Sequence, residues 1–246
     1  MPGIGVIANV VAVLVGSGIG LAFGRFISDR FRQIAFYALG LSTFSIGAAM
    51  VIGGLIKADA AGSKYAVLVL VGSLVVGGLA GEAIGVEALL ERFGHWLRSV
   101  AVRVPLLKVA AGEGEHQMVE GFVVASLLYC VGTMTILGSL QDGMGAPNLL
   151  YLKALLDGVA SIALASALGI GVSFSIVPII VVQGGIALGA HALQPFLTTG
   201  VISAMSMVGG TLILAIGMDL MGLKRLPVGN LMPAVIVAGV LGGFFM

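Results

Sequence analysis

"GFVVASLLYCVGTMTILGSLQDG", residues 121–143, is apolar enough to form a buried helix, yet Ser126, Cys130, Thr133 and Thr135 are spread through it. In a soluble domain such a run belongs to the core. In a bilayer it crosses, and its hydroxyls mark a side turned away from lipid. Composition decides between the two. Of 246 residues, 59% are apolar and only 9% charged, against about 25% charged in soluble domains, and the mean hydropathy is +1.17. Too little polar surface exists to cover a water-soluble fold of this length, so the bilayer is the relevant solvent.

A crossing helix needs about 20 mostly apolar residues. Eight stretches qualify, over 4–24, 33–55, 65–84, 119–140, 149–170, 172–193, 197–219 and 226–246. They predict an all-α polytopic bundle, one integral membrane domain over residues 1–246. The fifth and sixth stretches are separated only by "GIGVS" at 169–173, so seven spans is the alternative. Between the third and fourth, "VEALLERFGHWLRSV" (86–100) sets Val86, Leu89, Leu90, Phe93, Trp96, Leu97 and Val100 at helical spacing, with Glu87, Glu91, Arg92, His95 and Arg98 opposite. That pattern predicts a helix lying in the interface, with membrane lipid as its partner. "VAAGEGEHQ" (109–117) reads as a linker.

Lys and Arg accumulate in short cytoplasmic loops. With the N-terminus outside, the inner connections hold Arg25, Arg30, Arg32, Arg92, Arg98, Arg103, Lys108, Lys224 and Arg225, and the outer ones only Lys57, Lys64 and Lys153. The expected setting is a bacterial cytoplasmic (inner) membrane, with both termini outside. The 39 glycines predict close helix contacts, and homo-oligomer formation through small-residue faces, because lipid competes for every apolar contact. Shifting by 85 residues sets "IGAAMVIGGL" (46–55) on "VGTMTILGSL" (131–140). Either an inverted duplication or shared composition accounts for that match.

A net charge of +1 without a basic cluster excludes a nucleic-acid partner. One cysteine, Cys130, makes no internal disulfide. No GxxxxGK[ST], HExxH or CxxC occurs, and His95, His116 and His191 are scattered. No enzyme, catalytic residue, metal site or cofactor is expected.

What remains is polar chemistry inside apolar spans. Asp157 lies well within the fifth stretch, where a carboxylate costs a few kcal/mol on insertion scales. Lys153, one turn earlier, is placed to pair with it, and Ser161 shares its side. The pair either fixes helix registration or lines a pathway. Ser126, Cys130 and Thr133 form a stripe on the fourth stretch, although such hydroxyls also bond back to their own helix. In the sixth, Pro178, Gly184 and Gly185 surround Gln183 and predict a helix break, either a packed kink or a discontinuity holding a substrate. Asn9 extends the polar interior from the first stretch. The function these residues predict is a transporter or channel-like permease for a small solute or ion. The alternative is a non-transporting scaffold or lipid-organising protein acting through helix 86–100 and an oligomer surface.

"EGFVVASLLYCVGTMTILGSLQDG" (120–143), "KALLDG" (153–158), "GVSFSIVP" (171–178), "QGG" (183–185) and "VGGTLILAIGMDLMGL" (208–223) together resemble the bacterial YdfK/YqgA type, catalogued as a domain of unknown function. "GVIANVVAVLVGSGIG" (5–20) and "LVVGGLAGEAIGVE" (74–87) extend the resemblance over nearly the whole chain. It implies a multi-span inner-membrane protein with transport suspected and no substrate established. Tyr129 stands where Phe is expected and Asp219 where an amide is expected. The second departure puts a charge-based role for Asp219 in doubt.

Overall fold

A computed structural model describes residues 2–24, 29–101, 115–130 and 133–246. Among them every regular element is helical. The helices are α1 (Ile4–Gly24), α2 (Asp29–Ala60), α3 (Ala66–Ile84), α4 (Val86–Ala101), α5 (Glu115–Cys130), α6 (Thr133–Gly143), α7 (Asn148–Leu168), α8 (Ile176–Ile179), α9 (Gly185–Leu188), α10 (Ala190–Leu193), α11 (Thr199–Leu220), α12 (Val228–Leu231) and α13 (Pro233–Phe245). Large apolar side chains lie exposed along the long ones, among them Ile7, Val11 and Val15 on α1, Leu68 and Leu79 on α3 and Leu155 on α7. A water-soluble monomer does not present so much apolar surface; lipid covers it. The protein is an all-α polytopic membrane protein.

Six of the described helical segments are long and apolar enough to cross a membrane, and a seventh is added if the bent pair Met118–Cys130 and Met134–Gly143 counts as one. The difference from the eight stretches of the sequence lies in Asn148–Leu188, which passes as one segment of 41 residues, twice the length of a crossing. Of the expected linker, 109–114 lie outside the described residues, and Glu115, His116 and Gln117 open α5. The amphipathic helix stands as α4.

Contacts divide the chain into two compact units. The first comprises Met1–Leu39, Leu89–Cys130 and Met134–Ala190. Two clusters mark its ends: Val6, Leu150 and Ala187 pack together at one, and Met118, Ile170, Leu21 and Phe174 at the other. Hence α1 and α7 run in the same direction. Leu168 is followed by Gly169, at φ 75° and ψ −159°, a conformation glycine adopts freely and other residues avoid. The chain turns there through Gly169–Ser175 and returns along α8 to α10. Asn148–Leu188 is therefore two opposed legs. The bent pair runs from Met118 at one end to Asp142 beside Gly5 at the other, so it traverses the unit's full length as a broken leg rather than dipping in and out.

Glycine sets how closely α1 meets α7. A Cβ on Gly16 would overlap the Gly158 carbonyl, and one on Gly20 the Ile162 carbonyl. The start of α1 is capped from afar: Asp142, fully buried, accepts from the amides of Gly5 (3.0 Å) and Val6 (3.2 Å). Those first-turn N–H groups have no partner within the helix, and a carboxylate there also meets the positive end of the helix dipole.

The second unit comprises Gly40–Ala88, Val131–Thr133 and His191–Met246. Within it α2 and α11 pack antiparallel through glycines seven residues apart. A Cβ on Gly40 would stand 2.9 Å from the Gly217 carbonyl, on Gly47 2.7 Å from that of Gly210, and on Gly54 3.0 Å from that of Ser203. Gly77 and Gly81 of α3 meet Ala234 and Asn230 just as closely. Asn230 then ties the end of α3 down, giving Nδ2–H to Glu82 Oε2 (2.6 Å) and accepting from the Glu87 amide (2.7 Å). Much of the glycine surface expected to join copies is thus occupied within the chain.

Candidate functional site

Asn9, Lys153, Asp157, Ser161 and Gln183, separated by up to 174 positions, meet inside the first unit. All are buried; Asp157 is 7% exposed, Lys153 5% and the other three 0%. The Lys153 ammonium is paired with Asp157 Oδ2, one turn away on α7 as its spacing predicts. The same oxygen accepts from Asn9 Nδ2 (3.0 Å), which also donates to Gln183 Oε1 (3.1 Å). Both amide hydrogens of Asn9 are engaged, and turning the amide over would face its oxygen with two others. Asn9 Oδ1 has no donor.

Tyr129 closes the other side. The Ser161 hydroxyl donates to the Asp157 carbonyl (2.7 Å), so the 2.7 Å contact between Tyr129 and Ser161 has the phenol as donor. Lys153 Nζ stands 5.8 Å from the centre of the Tyr129 ring, within reach of a cation–π attraction. The Tyr129 carbonyl sits at the end of α5, where helices leave acceptors open. It takes hydrogen bonds from Thr135 Oγ1 (2.9 Å) and Gln183 Nε2 (3.5 Å).

The helix break expected around Gln183 occurs elsewhere. Backbone angles stay helical through Gly184 and Gly185, and no atom would meet a Cβ at either. Instead the leg widens into a π-turn over Ile180–Gly184. Such a turn shifts the helical register by one residue and recurs at functional sites; it carries Gln183, which faces Asn9. The discontinuity belongs to the fourth stretch, where α5 ends at Cys130 and Met134–Gly143 is inclined 64° to Met118–Cys130. A break at such depth leaves polar backbone groups that survive only against protein or water. Tyr129 O is one, and the cluster satisfies it.

Ser126 is buried and donates to the Phe122 carbonyl of its own helix; it takes no part in the cluster. The Thr133 side chain lies outside the described residues. Neither Tyr129 as a participant nor Asp142 as a cap is anticipated from the sequence. Tyr129 carries a signal, a phenol amid aliphatic residues, whereas the partners of Asp142 lie 137 and 136 positions away.

The arrangement is a network without net charge, built around one carboxylate, one ammonium, two amides and a phenol. Among its amides, the Asn9 carbonyl oxygen is left to accept a further hydrogen bond. A neighbouring groove of about 350 Å³, lined by Val6, Ile7, Val10, Ile180, Gly184, Leu188 and others, is apolar and does not include the polar side chains of the cluster.

A family model described as "Protein of unknown function (DUF554)" matches residues 4–242. The "Uncharacterized membrane protein YdfK" of Bacillus subtilis (strain 168) is 31% identical over 234 residues, covering 95% of this chain and 93% of that protein. The "Uncharacterized protein YqgA" of Escherichia coli (strain K12) is 30% identical over 237 residues, 96% of this chain and 94% of its own. No solved structure matches. With helices fit to cross a bilayer and a match along nearly its whole length, the chain is a membrane protein and belongs to the DUF554 family.

Proposed function

We propose that the protein is an inner-membrane transporter or channel-like permease for a small solute or ion, and that the cluster around Asp157 is where the solute binds. One observation supports this above the rest: five buried polar side chains from three legs, two of them an acid–amine pair, converge beside a broken fourth leg. Fixing helix registration needs only the pair; it does not need a discontinuous helix or an amide oxygen left without a donor. With Asp157 and Lys153 this buried, the conformation is a closed one, and transport requires the pair to separate. The neutral double variant Lys153→Met/Asp157→Asn tests the reading, because it leaves no unpaired charge behind. In proteoliposomes, wild type should give a charge displacement or solute flux across a panel of inorganic cations, amines and carboxylates. The double variant, folded and inserted to the same extent, should give none. Equal flux in the two, or none in wild type over the panel, would remove the cluster as a transport site.

A scaffold or lipid-organising role is the second reading. It is favoured by α4, whose Leu89 and Trp96 are 60% and 56% exposed and whose Phe93 packs on both Trp96 and Phe122. Membrane phenotypes that survive the double variant and depend on α4 would select it.

The orientation we propose, N-terminus outside, follows the Lys and Arg distribution. Single cysteines at Gly62 and Ser99 in a Cys130→Ser background should react with a membrane-impermeant maleimide from opposite sides, the one at position 62 from outside. Reaction of both from one side overturns it.

A further inference from the structure

We propose, resting on the transport reading, that the ligand of this cluster is a small monovalent cation and that Lys153 is its tethered competitor, holding Asp157 while the site is empty. The argument begins with the donors and acceptors. Each neutral donor group of the cluster makes a hydrogen bond within it: both Asn9 amide hydrogens, the Ser161 and Thr135 hydroxyls, the Tyr129 phenol and one of the two Gln183 amide hydrogens. The Asn9 carbonyl oxygen, Oδ1, is an acceptor left fully buried and without a partner. An anion drawn to the Lys153 ammonium would be held beside the Asp157 carboxylate, and would leave that oxygen unmatched. A cation, or an ammonium-type donor, meets it directly.

The occupant already present has the same chemistry. An ammonium group sits on Asp157 Oδ2, beside the Tyr129 ring. A flexible four-carbon stem lets such a group withdraw and return, which a fixed guanidinium would do poorly. One carboxylate with amide and carbonyl oxygens supplies a single negative charge, matching a monovalent ion, whereas divalent hard cations gather several carboxylates. Neutrality is conserved on exchange only if Lys153 leaves the carboxylate as the ligand arrives. The present state therefore lowers the apparent affinity by the fraction of time Lys153 occupies the site.

The test uses full-length protein in nanodiscs of phosphatidylethanolamine and phosphatidylglycerol, with thermal unfolding followed in chloride salts of Li⁺, Na⁺, K⁺ and NH₄⁺ against choline at constant ionic strength. At least one of the four should stabilise wild type saturably. Lys153→Met should be unstable in choline and recovered by that same ion, with a Tm rise of about 5 °C or more at a hundredfold excess over Kd and half-saturation at least tenfold lower than in wild type. Asn9→Leu in the Lys153→Met background should weaken that response at least tenfold. Identical unfolding of wild type in all five salts overturns the proposal, whether or not the variants can be purified; so does a shift that follows the anion when chloride is exchanged for nitrate. If no cation acts while the neutral double variant still loses flux, transport at the cluster stands and the cation assignment falls. If a cation binds without flux, the site stands and the transport reading falls.

Discussion

Alanine at Gly16 or Gly20 is expected to strip the folded protein from the membrane, while alanine at Gly18, between them on the same helix, is expected to be harmless. The first two face α7, where an added methyl group would enter the carbonyl oxygens of Gly158 and Ile162. Backbone cannot step aside as a flexible side chain can. Forcing one methyl into a packed contact costs about 1–3 kcal/mol, a large share of the stability of an ordinary domain, about 5–15 kcal/mol. No atom lies within 4 Å of a Cβ at Gly18, so there the helix-propensity difference of about 1 kcal/mol acts in the opposite direction and favours alanine. Extraction in mild detergent followed by size-exclusion chromatography reads the three side by side. Equal recovery of Gly16→Ala and Gly18→Ala would mean that α1 and α7 do not meet as described.

The second large effect concerns Lys153 and Asp157, and here the double variant matters more than either single one. Removing one partner of a buried ion pair leaves the other uncompensated and costs about 3–5 kcal/mol, whereas replacing both by apolar or neutral groups is often close to neutral. Asp157→Asn and Lys153→Met should each reduce folded protein sharply. Together they should restore most of it, so that the coupling energy in a double-mutant cycle approaches the sum of the two single losses. Losses that simply add would show that the two side chains do not stabilise one another. Asp157→Asn alone cannot separate a transport role from a structural one, because it strands an ammonium group among Tyr129, Asn9 and Ser161.

The spans are legible in the sequence because hydropathy is a local property, and so are Asn9, Asp157 and Gln183, whose polarity stands out against aliphatic neighbours. The position of the break is not. Proline and paired glycines at 178–185 are strong local signals, yet that leg remains helical by widening one turn. The leg with no proline between 118 and 143 bends instead, because Thr135 and Gln183 satisfy the Tyr129 carbonyl from outside α5. A further signal lies in the spacing of the glycines rather than in their abundance. Gly40, Gly47 and Gly54, with Ser203, Gly210 and Gly217, recur every seven residues, and that period puts each set on one side of its helix. Two matching periods of this kind mark α2 and α11 as partners from the order of residues alone. The first three spans and the last three divide between the units in the same order, one to the first unit and two to the second, which is the order a duplication would give.

The parallel course of α1 and α7 has a consequence for how the protein is made. The partners of Asn9 lie 148 and 174 positions downstream, so at a synthesis rate of about 5–20 residues per second the first helix waits roughly 7–35 s for them to be translated. Throughout that interval its amide and its notched face have only lipid or the insertion machinery for company. The nascent chain must therefore be sheltered, or tolerate an unfilled seam, until a helix from the second half slides in alongside.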